Sequence, residues 1–280
     1  MVRSKAIRGI LVWLAIAGAV IWTLAPFAWA ISASLKTGTN VYNNEWIPFL
    51  QFEPSLRSWK GLLALPVLKQ AMATSAIVSL SVATICVLLA APAAYGISRL
   101  PWSANWQRGF LASIMIQRVL PPVTFITPFM LLGAFFGVKD TLPGLIIVDV
   151  VFMLPLAVII AYSAFAAVPH ELVESASIDG ASAMRTFLQI ATPLTAPALM
   201  AAWILCLAFT WNEWLYADFM TFNKVETMSV ALITVVGGGS GANVPQAVAR
   251  TLSMMVVPMI AALASQRFIV SGLSMGAVKG

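Results

Sequence analysis

Residues 142–193 read LPGLIIVDVVFMLPLAVIIAYSAFAAVPHELVESASIDGASAMRTFLQIATP, and the change of character within that stretch decides the architecture. From Leu142 to Ala166 the only charged residue is Asp149. A bilayer core takes about 20 apolar residues per helix, so this run reads as a membrane span. From Pro169 onward the chain turns polar, with Glu171, Glu174, Asp179 and Arg185 in quick succession. A polar helix-turn-helix between two spans is a handle for something outside the bilayer.

Local chemistry supports that shape. Pro169 suits the first turn of a helix, where its missing N–H costs nothing, and Glu171 near that end is favoured by the helix dipole. A first short helix is expected through about Ile178. Asp179-Gly180 then makes a turn, with Gly180 supplying the left-handed conformation that ends helices and Asp179 capping the next one. Met184, Phe187, Leu188 and Ala191 recur at i, i+3, i+4 and i+7, which gives the second helix one apolar face. Pro193 is expected to stop it. On spacing alone, two functions remain open: docking into a partner's groove, or an amphipathic elbow lying on the membrane surface.

Composition places the rest of the chain around these elements. Hydrophobic residues make up 60% and charged ones 9% of the 280 residues, with a mean hydropathy of +0.92, whereas a soluble domain carries about a quarter charged residues. The net charge of +6 does not indicate a nucleic-acid binder, because the basic residues stand singly between apolar runs and build no stripe. Lys and Arg flanking membrane spans account for the surplus. Cys86 and Cys206 both lie inside apolar runs and read as small buried hydrophobes, not as a disulfide or a metal site.

Six segments are long and apolar enough to span: near Gly9 to Ser32, Met72 to Ile97, Gly109 to Phe135, Leu142 to Ala166, Ala198 to Phe219 and Ala247 to Phe268. The first follows Arg3, Lys5 and Arg8 and carries a cleavage-like Ala28-Trp29-Ala30, but its apolar run exceeds the signal-peptide range of about 7 to 15 residues. It is therefore read as a retained span. Six spans put both termini on one side, and the cations ahead of the first span place that side in the cytoplasm. The segment from about 35 to 71 is then an outer loop, with a short helix expected around Ser55 to Leu63 behind Pro54. Gly237-Gly238-Gly239-Ser240-Gly241 lacks the Lys-Ser/Thr of a phosphate loop and reads as an outer turn.

Catalytic signatures are missing from the sequence. His170 is the only histidine and has no Cys or second His beside it, so it reads as a solvated helix end, not a metal or catalytic residue. No HExxH pair occurs. The informative polar residues lie inside spans, where each charge costs at least about 2.5 to 3.5 kcal/mol and so faces a cavity or a partner. Arg118, Asp149 and Glu213 are of this kind, at depths that let them meet beside breaks made by Pro121 and Pro122. The expectation is that Arg118 pairs with one or both acids, either as a fixed ion pair or as part of a solute path. Trp211, Asn212 and Trp214 carry the same ambiguity, since aromatic faces and amides suit sugar rings and Trp also populates membrane-interface belts. An ion-gradient-driven secondary transporter using Asp149 and Glu213 is the competing reading.

The spacing of Glu174-Ser175-Ala176, Gly180, Ile190 and Pro193 resembles the EAA loop of ABC importer permeases, with Ser175 where the pattern has Ala and Thr192 where it has Leu. Ala93-Ala94-Tyr95 through Arg99-Leu100 is similar to the family's AAYxxxRL ending. Arg118 to Pro122 and Trp211 to Leu215 resemble its third- and fifth-span signatures. Gln266-Arg267 through Gly272-Leu273 to Gly276-Ala277-Val278-Lys279-Gly280 resembles the tail of carbohydrate-importer permeases, of the maltose transporter's second, shorter type. The resemblance implies an all-α integral membrane protein of the bacterial inner membrane: a single transmembrane domain over 1–280, six spans, and a cytoplasmic coupling loop at about 168–196. It implies a binding-protein-dependent importer of a carbohydrate-like solute. The partners it implies are a second permease forming a heterodimer, two ATPase subunits that hold the ATP and Mg, and an external solute-binding protein. This chain would bind no cofactor itself. The implied ATPase-coupling residues are Glu171, Glu174, Ser175, Ala176, Asp179, Gly180, Arg185 and Lys279.

Overall fold

A chain that crosses hydrocarbon must satisfy its backbone polar groups internally, and helices do so within one segment. The computed structural model describes residues 2–37, 40, 43–222, 224–237 and 244–277. In chain order its helices are α1 (Val2–Ser34), α2 (Arg57–Ala64), α3 (Pro66–Arg99), α4 (Ala104–Val119), α5 (Ile126–Phe135), α6 (Leu142–Ala166), α7 (His170–Ile178), α8 (Ala183–Thr186), α9 (Thr192–Trp211), α10 (Leu215–Met220), α11 (Met228–Gly237) and α12 (Val244–Ala277). A 3-10 turn at Pro122–Phe125 precedes α5, and a π turn at Phe187–Ala191 joins α8 to α9. Lys279 and the run from Gly238 to Gly241 lie outside the described residues.

Among the described residues, five stretches are long and apolar enough to cross a membrane: Arg8–Ser34, Pro66–Arg99, Leu142–Ala166, Ala183–Trp211 and Val244–Ala264. The expected span from Gly109 to Phe135 is broken, its two halves meeting at 97°. Pro121 and Pro122 cause the break. Neither can donate to the helix, and a residue before proline is pushed out of the α region, as Leu120 is at φ −68, ψ 140. The expected span at Ala198 to Phe219 is also redrawn. It begins at Ala183 and ends at Trp211, and α10 follows as a separate short helix.

Pro193 does not end the second loop helix, contrary to expectation. It sits in the first turn of α9, and the π turn ahead of it closes with the Thr192 N–H on the Phe187 carbonyl. A π turn shifts the hydrogen-bond register by one residue, so the backbone passes the proline without a stop. The second helix of the polar segment and the fifth span are thus one continuous stretch, Ala183–Trp211.

The chain forms two compact units, Met1–Lys69 with Leu232–Met255 and Gln70–Ala231 with Val256–Gly280. In the first, the end of α1 is tied to the loop after it. Ser32 Oγ donates to the Trp46 carbonyl (2.7 Å), the Ser55 N–H to the Leu35 carbonyl (2.8 Å), and Trp59 Nε1 to Ser34 Oγ (3.1 Å). The short helix expected near Ser55 is α2, with Ser55 Oγ accepting from the Arg57 N–H.

In the second unit α6 is central. Thr141 caps it by accepting from the Gly144 N–H, and Pro143 sits in its first turn. Its 25 residues rise about 37 Å at 1.5 Å each, more than the roughly 30 Å hydrocarbon core. Alanines Ala157 and Ala161 on α6, Ala83, Ala90 and Ala94 on α3, and Ala202 on α9 are all buried. Small residues let membrane helices approach closely, and this packing supports both candidate regions below.

Candidate functional site

The polar segment is built as two short helices at a turn. Pro169, with φ −56 and ψ 137, is the N-cap of α7, and Glu171 lies in its first turn. At the other end Gly180 has φ +77. Its N–H bonds the Ser177 carbonyl (3.1 Å) and that of Ala181 bonds the Ala176 carbonyl (2.9 Å), the paired bonds of a Schellman ending. Asp179 is the C-cap of α7 and does not cap the next helix. That role falls to Ser182, whose Oγ accepts from the Arg185 N–H at 3.3 Å, because the Schellman bonds carry the chain past Asp179 before α8 begins.

Of the expected coupling residues, Glu171, Glu174, Ser175, Asp179, Gly180 and Arg185 are exposed, and Ala176 is buried beneath α7. Ser175, which replaces the pattern's Ala, turns its hydroxyl back onto the Leu172 carbonyl (3.2 Å) and leaves the helix intact. His170 is exposed at the first residue of α7. The expected apolar face is divided. Ala191 is buried and Phe187 half-buried, whereas Met184 and Leu188 are 65% and 55% exposed and Ile178 is 86% exposed. The π turn rotates successive residues less than an α turn does, which separates the two halves of the stripe.

Behind the segment lies a mount that gives a physical role to Tyr95 and Arg99, which the sequence marks only as part of a family-like ending. Arg99, at the end of α3, donates Nη2 to the Phe165 carbonyl (2.6 Å) and to the Val168 carbonyl. Both carbonyls lie at the end of α6, where that of Phe165 also accepts from the Val168 N–H (3.2 Å). Tyr95 packs against Phe165 (5.5 Å) and Phe187 (5.1 Å), and those two rings lie 6.0 Å apart. One cation and three rings thus join α3, α6 and the α8–α9 rod immediately under the loop.

The second region is a set of helix breaks. Pro155 lies inside α6, and its missing N–H frees the carbonyl four residues earlier, that of Val151. Gln117 Nε2 from α4 donates to it at 2.9 Å. Adjacent α6 carbonyls collect donors as well: Arg118 Nη1 on Phe152 (3.4 Å), Cys86 Sγ on Val150 (3.8 Å) and Cys206 Sγ on Met153 (4.0 Å). An in-span proline is the signal that calls for such donors, and the polar pair Gln117-Arg118 is where they are found.

Glu213 stands in the gap between α9 and α10. Its Oε1 accepts from the Tyr216 N–H (2.8 Å) and its Oε2 from the Ala217 N–H (3.1 Å), so the carboxylate caps α10. Tyr216 Oη donates to the Pro122 carbonyl (3.0 Å), joining this break to the one at Pro121-Pro122. Between them is a cavity of ≈ 290 Å³ whose wall includes Gln117, Arg118, Leu120, Phe152, Glu213 and Tyr216. The expected ion pair does not form. Arg118 turns to the Phe152 carbonyl and lies 6.0 Å from the Phe209 ring centroid, while the Glu213 oxygens are held by backbone donors. Asp149 is buried at 2% exposure, with Oδ1 unpartnered and away from the cavity wall. Trp211 is core at 1% exposure, Trp214 is half-buried, and the exposed Asn212 amide returns to the Ala208 carbonyl (2.8 Å).

The chain is thus an all-helical, multi-span membrane protein with broken helices beside a largely apolar cavity that Arg118 and Glu213 also line, and with an exposed pair of short helices. The chain belongs to the binding-protein-dependent transport system inner membrane component family, whose model matches residues 87–274. It is 31% identical over 261 residues to the trehalose transport system permease protein SugB of Mycobacterium tuberculosis, covering 92% of this chain and 93% of that one. It is 29% identical to the melibiose/raffinose/stachyose import permease protein MelC of Bacillus subtilis, over 99% of each. Its fold matches a chain of a bacterial ABC transporter involved in the import of the acidic polysaccharide alginate, with TM-score 0.76 at 18% identity over 95% of this chain and 98% of that one. This chain is therefore a multi-pass inner-membrane permease of an ABC transporter, without a catalytic role of its own.

Proposed function

We propose that this chain is one of two permeases in an ATP-driven importer of a carbohydrate or carbohydrate-like solute, resembling the second permease of maltose-type systems. The observation that carries the reading is the exposed α7–α8 segment mounted on Arg99, Tyr95, Phe165 and Phe187. Ile178, Met184 and Leu188 face outward among Glu171, Glu174 and Arg185. That mixture suits a protein cleft better than a lipid surface, which calls for a basic polar face. Two ATPase subunits holding ATP and Mg would grip this loop and its counterpart on the second permease, on the cytoplasmic side with both termini. Lys279 would join that contact.

Closing of the ATPase pair displaces α7–α8, and the mount passes the displacement to α3, α6 and α9 together. The breaks at Pro121-Pro122 and Glu213, with the hydrogen bond that Pro155 removes inside α6, allow those helices to bend beside the cavity. Arg118, Gln117 and Tyr216 line the solute path, Glu213 and Trp214 hold its wall, and Trp211 and Asp149 act from behind it. An external binding protein delivers the solute to the outer face. The relatives' names, covering trehalose and melibiose, raffinose and stachyose, support the carbohydrate class. The test is copurification and reconstitution. A stable complex with an ATPase subunit, taking up sugar only with ATP and binding protein, is expected. Uptake by this chain alone, driven by an ion gradient, would overturn the reading.

A further inference from the structure

The first unit carries a cavity that nothing above uses. It lies between the end of α1 and the stretch Asn43 to Trp46, has a volume of ≈ 160 Å³, and is lined by Trp29, Lys36, Asn43, Asn44, Glu45 and Trp46 among others. Lys36 is buried at 6% exposure. Its ammonium donates one hydrogen bond, to the Asn43 carbonyl at 3.0 Å, and lies 5.5 Å from the Phe52 ring centroid. An ammonium has three donors, so two remain unused among the described residues. On the same wall Glu45 Oε2 is buried without a hydrogen-bond partner among the described residues. Burying a carboxylate oxygen unmatched is costly, which makes it a reserved acceptor.

We propose that this cavity, in the outer loop that follows α1, is a binding site for a single sugar ring. A hydroxyl both donates and accepts, so a sugar needs donors and acceptors side by side. Lys36 offers donors, Glu45 an acceptor, and the Asn43 and Asn44 amides both. Trp29 and Trp46 are 48% and 57% exposed, and their apolar rings suit the C–H face of a pyranose. The volume lies below the roughly 300–1,000 Å³ of drug-sized pockets, so the site takes one ring and not a whole oligosaccharide. The wall is preorganised. Ser32 Oγ holds the Trp46 carbonyl at 2.7 Å, and Gln51 Oε1 accepts from the Ile47 N–H at 2.9 Å. The carbohydrate class and outer position of the site rest on the reading proposed above.

The experiment uses the whole complex in nanodiscs without binding protein, and trehalose, melibiose and raffinose as probes. Saturation-transfer NMR reads contact with the sugar protons, and uptake into proteoliposomes is measured in parallel. Transfer to at least one sugar is expected, with affinity weakened about ten-fold in Glu45→Gln, the loss typical of one charge-assisted hydrogen bond. Trp46→Ala is expected to lose transfer to the ring C–H protons. No transfer with the wild-type complex, or equal transfer in both variants, overturns the site even if uptake is normal. Transfer that is lost in Glu45→Gln, from a complex that takes up none of the sugars, keeps the site and refutes the importer reading instead.

Discussion

Replacing Arg99 with Gln tests whether the mount under the loop transmits force. In the wild type one guanidinium nitrogen serves both the Phe165 and Val168 carbonyls. A hydrogen bond to a charged group contributes about 1.5–3 kcal/mol, and the two bonds share one nitrogen and do not double, so about 3 kcal/mol is the ceiling. The shorter, neutral Gln recovers little of it. Since 1.4 kcal/mol is a factor of ten, the hold of α3 on the α6–α7 junction weakens by up to about a hundred-fold. ATP hydrolysis needs only the docked loop, whereas transport needs the loop to move the spans. Binding-protein-stimulated ATPase and sugar uptake, measured in the same proteoliposomes, should therefore separate: uptake per ATP falls at least about ten-fold, with hydrolysis largely retained. Arg99→Lys, which keeps a charged donor, should fall between. If Arg99→Gln lowers the thermal midpoint of the complex and leaves uptake per ATP at the wild-type value, Arg99 merely stabilises the fold and the reasoning fails.

Three further outcomes follow from the same geometry. At Gly180 nothing lies within 4 Å of the place a Cβ would occupy, so the constraint is its φ of +77; the left-handed conformation costs an L-residue about 1–2 kcal/mol and Asn least, so transport should rank Gly180, then Asn, then Val, and a Val variant matching wild type would refute the turn argument. Gln117→Leu should destabilise the complex by about 0.6 kcal/mol, up to about 1.7, as membrane interhelical hydrogen bonds do, but should become nearly neutral beside Pro155→Ala, which restores a helical donor for Val151. Additive effects in that double-mutant cycle, measured by denaturation in detergent, would rule the link out. Glu213→Gln keeps one oxygen for Tyr216 and turns an N–H₂ toward the Ala217 donor, so assembled complex and uptake should decline together; uptake lost from a fully assembled complex would instead make Glu213 a direct path residue.

Much of the organisation was legible because it is local. The apolar run Leu142 to Ala166 matches α6 residue for residue, since hydropathy over one segment suffices to specify a span. The turn at Gly180 was legible for a similar reason: only glycine adopts its φ at little cost. Pro193 was misread because its effect depends on a π turn, and a π turn leaves no composition signal. The divided apolar face follows from that same turn. The Arg118 ion pair was misjudged because opposite charges at matching depth suggest a pair, whereas backbone groups freed by proline and by a helix end compete for the same side chains.

The sequence alone therefore determined the membrane class, four of the six expected spans, the polar segment between two of them and the family resemblance. These depend on residue types along one stretch of chain. Only the tertiary structure decided which side chains face one another: Arg99 on the end of α6, Gln117 and Arg118 on carbonyls 34 residues away, and Glu213 on α10 instead of Arg118. Each of these is a contest for hydrogen-bond partners in a medium without water, and packing sets which donor arrives first.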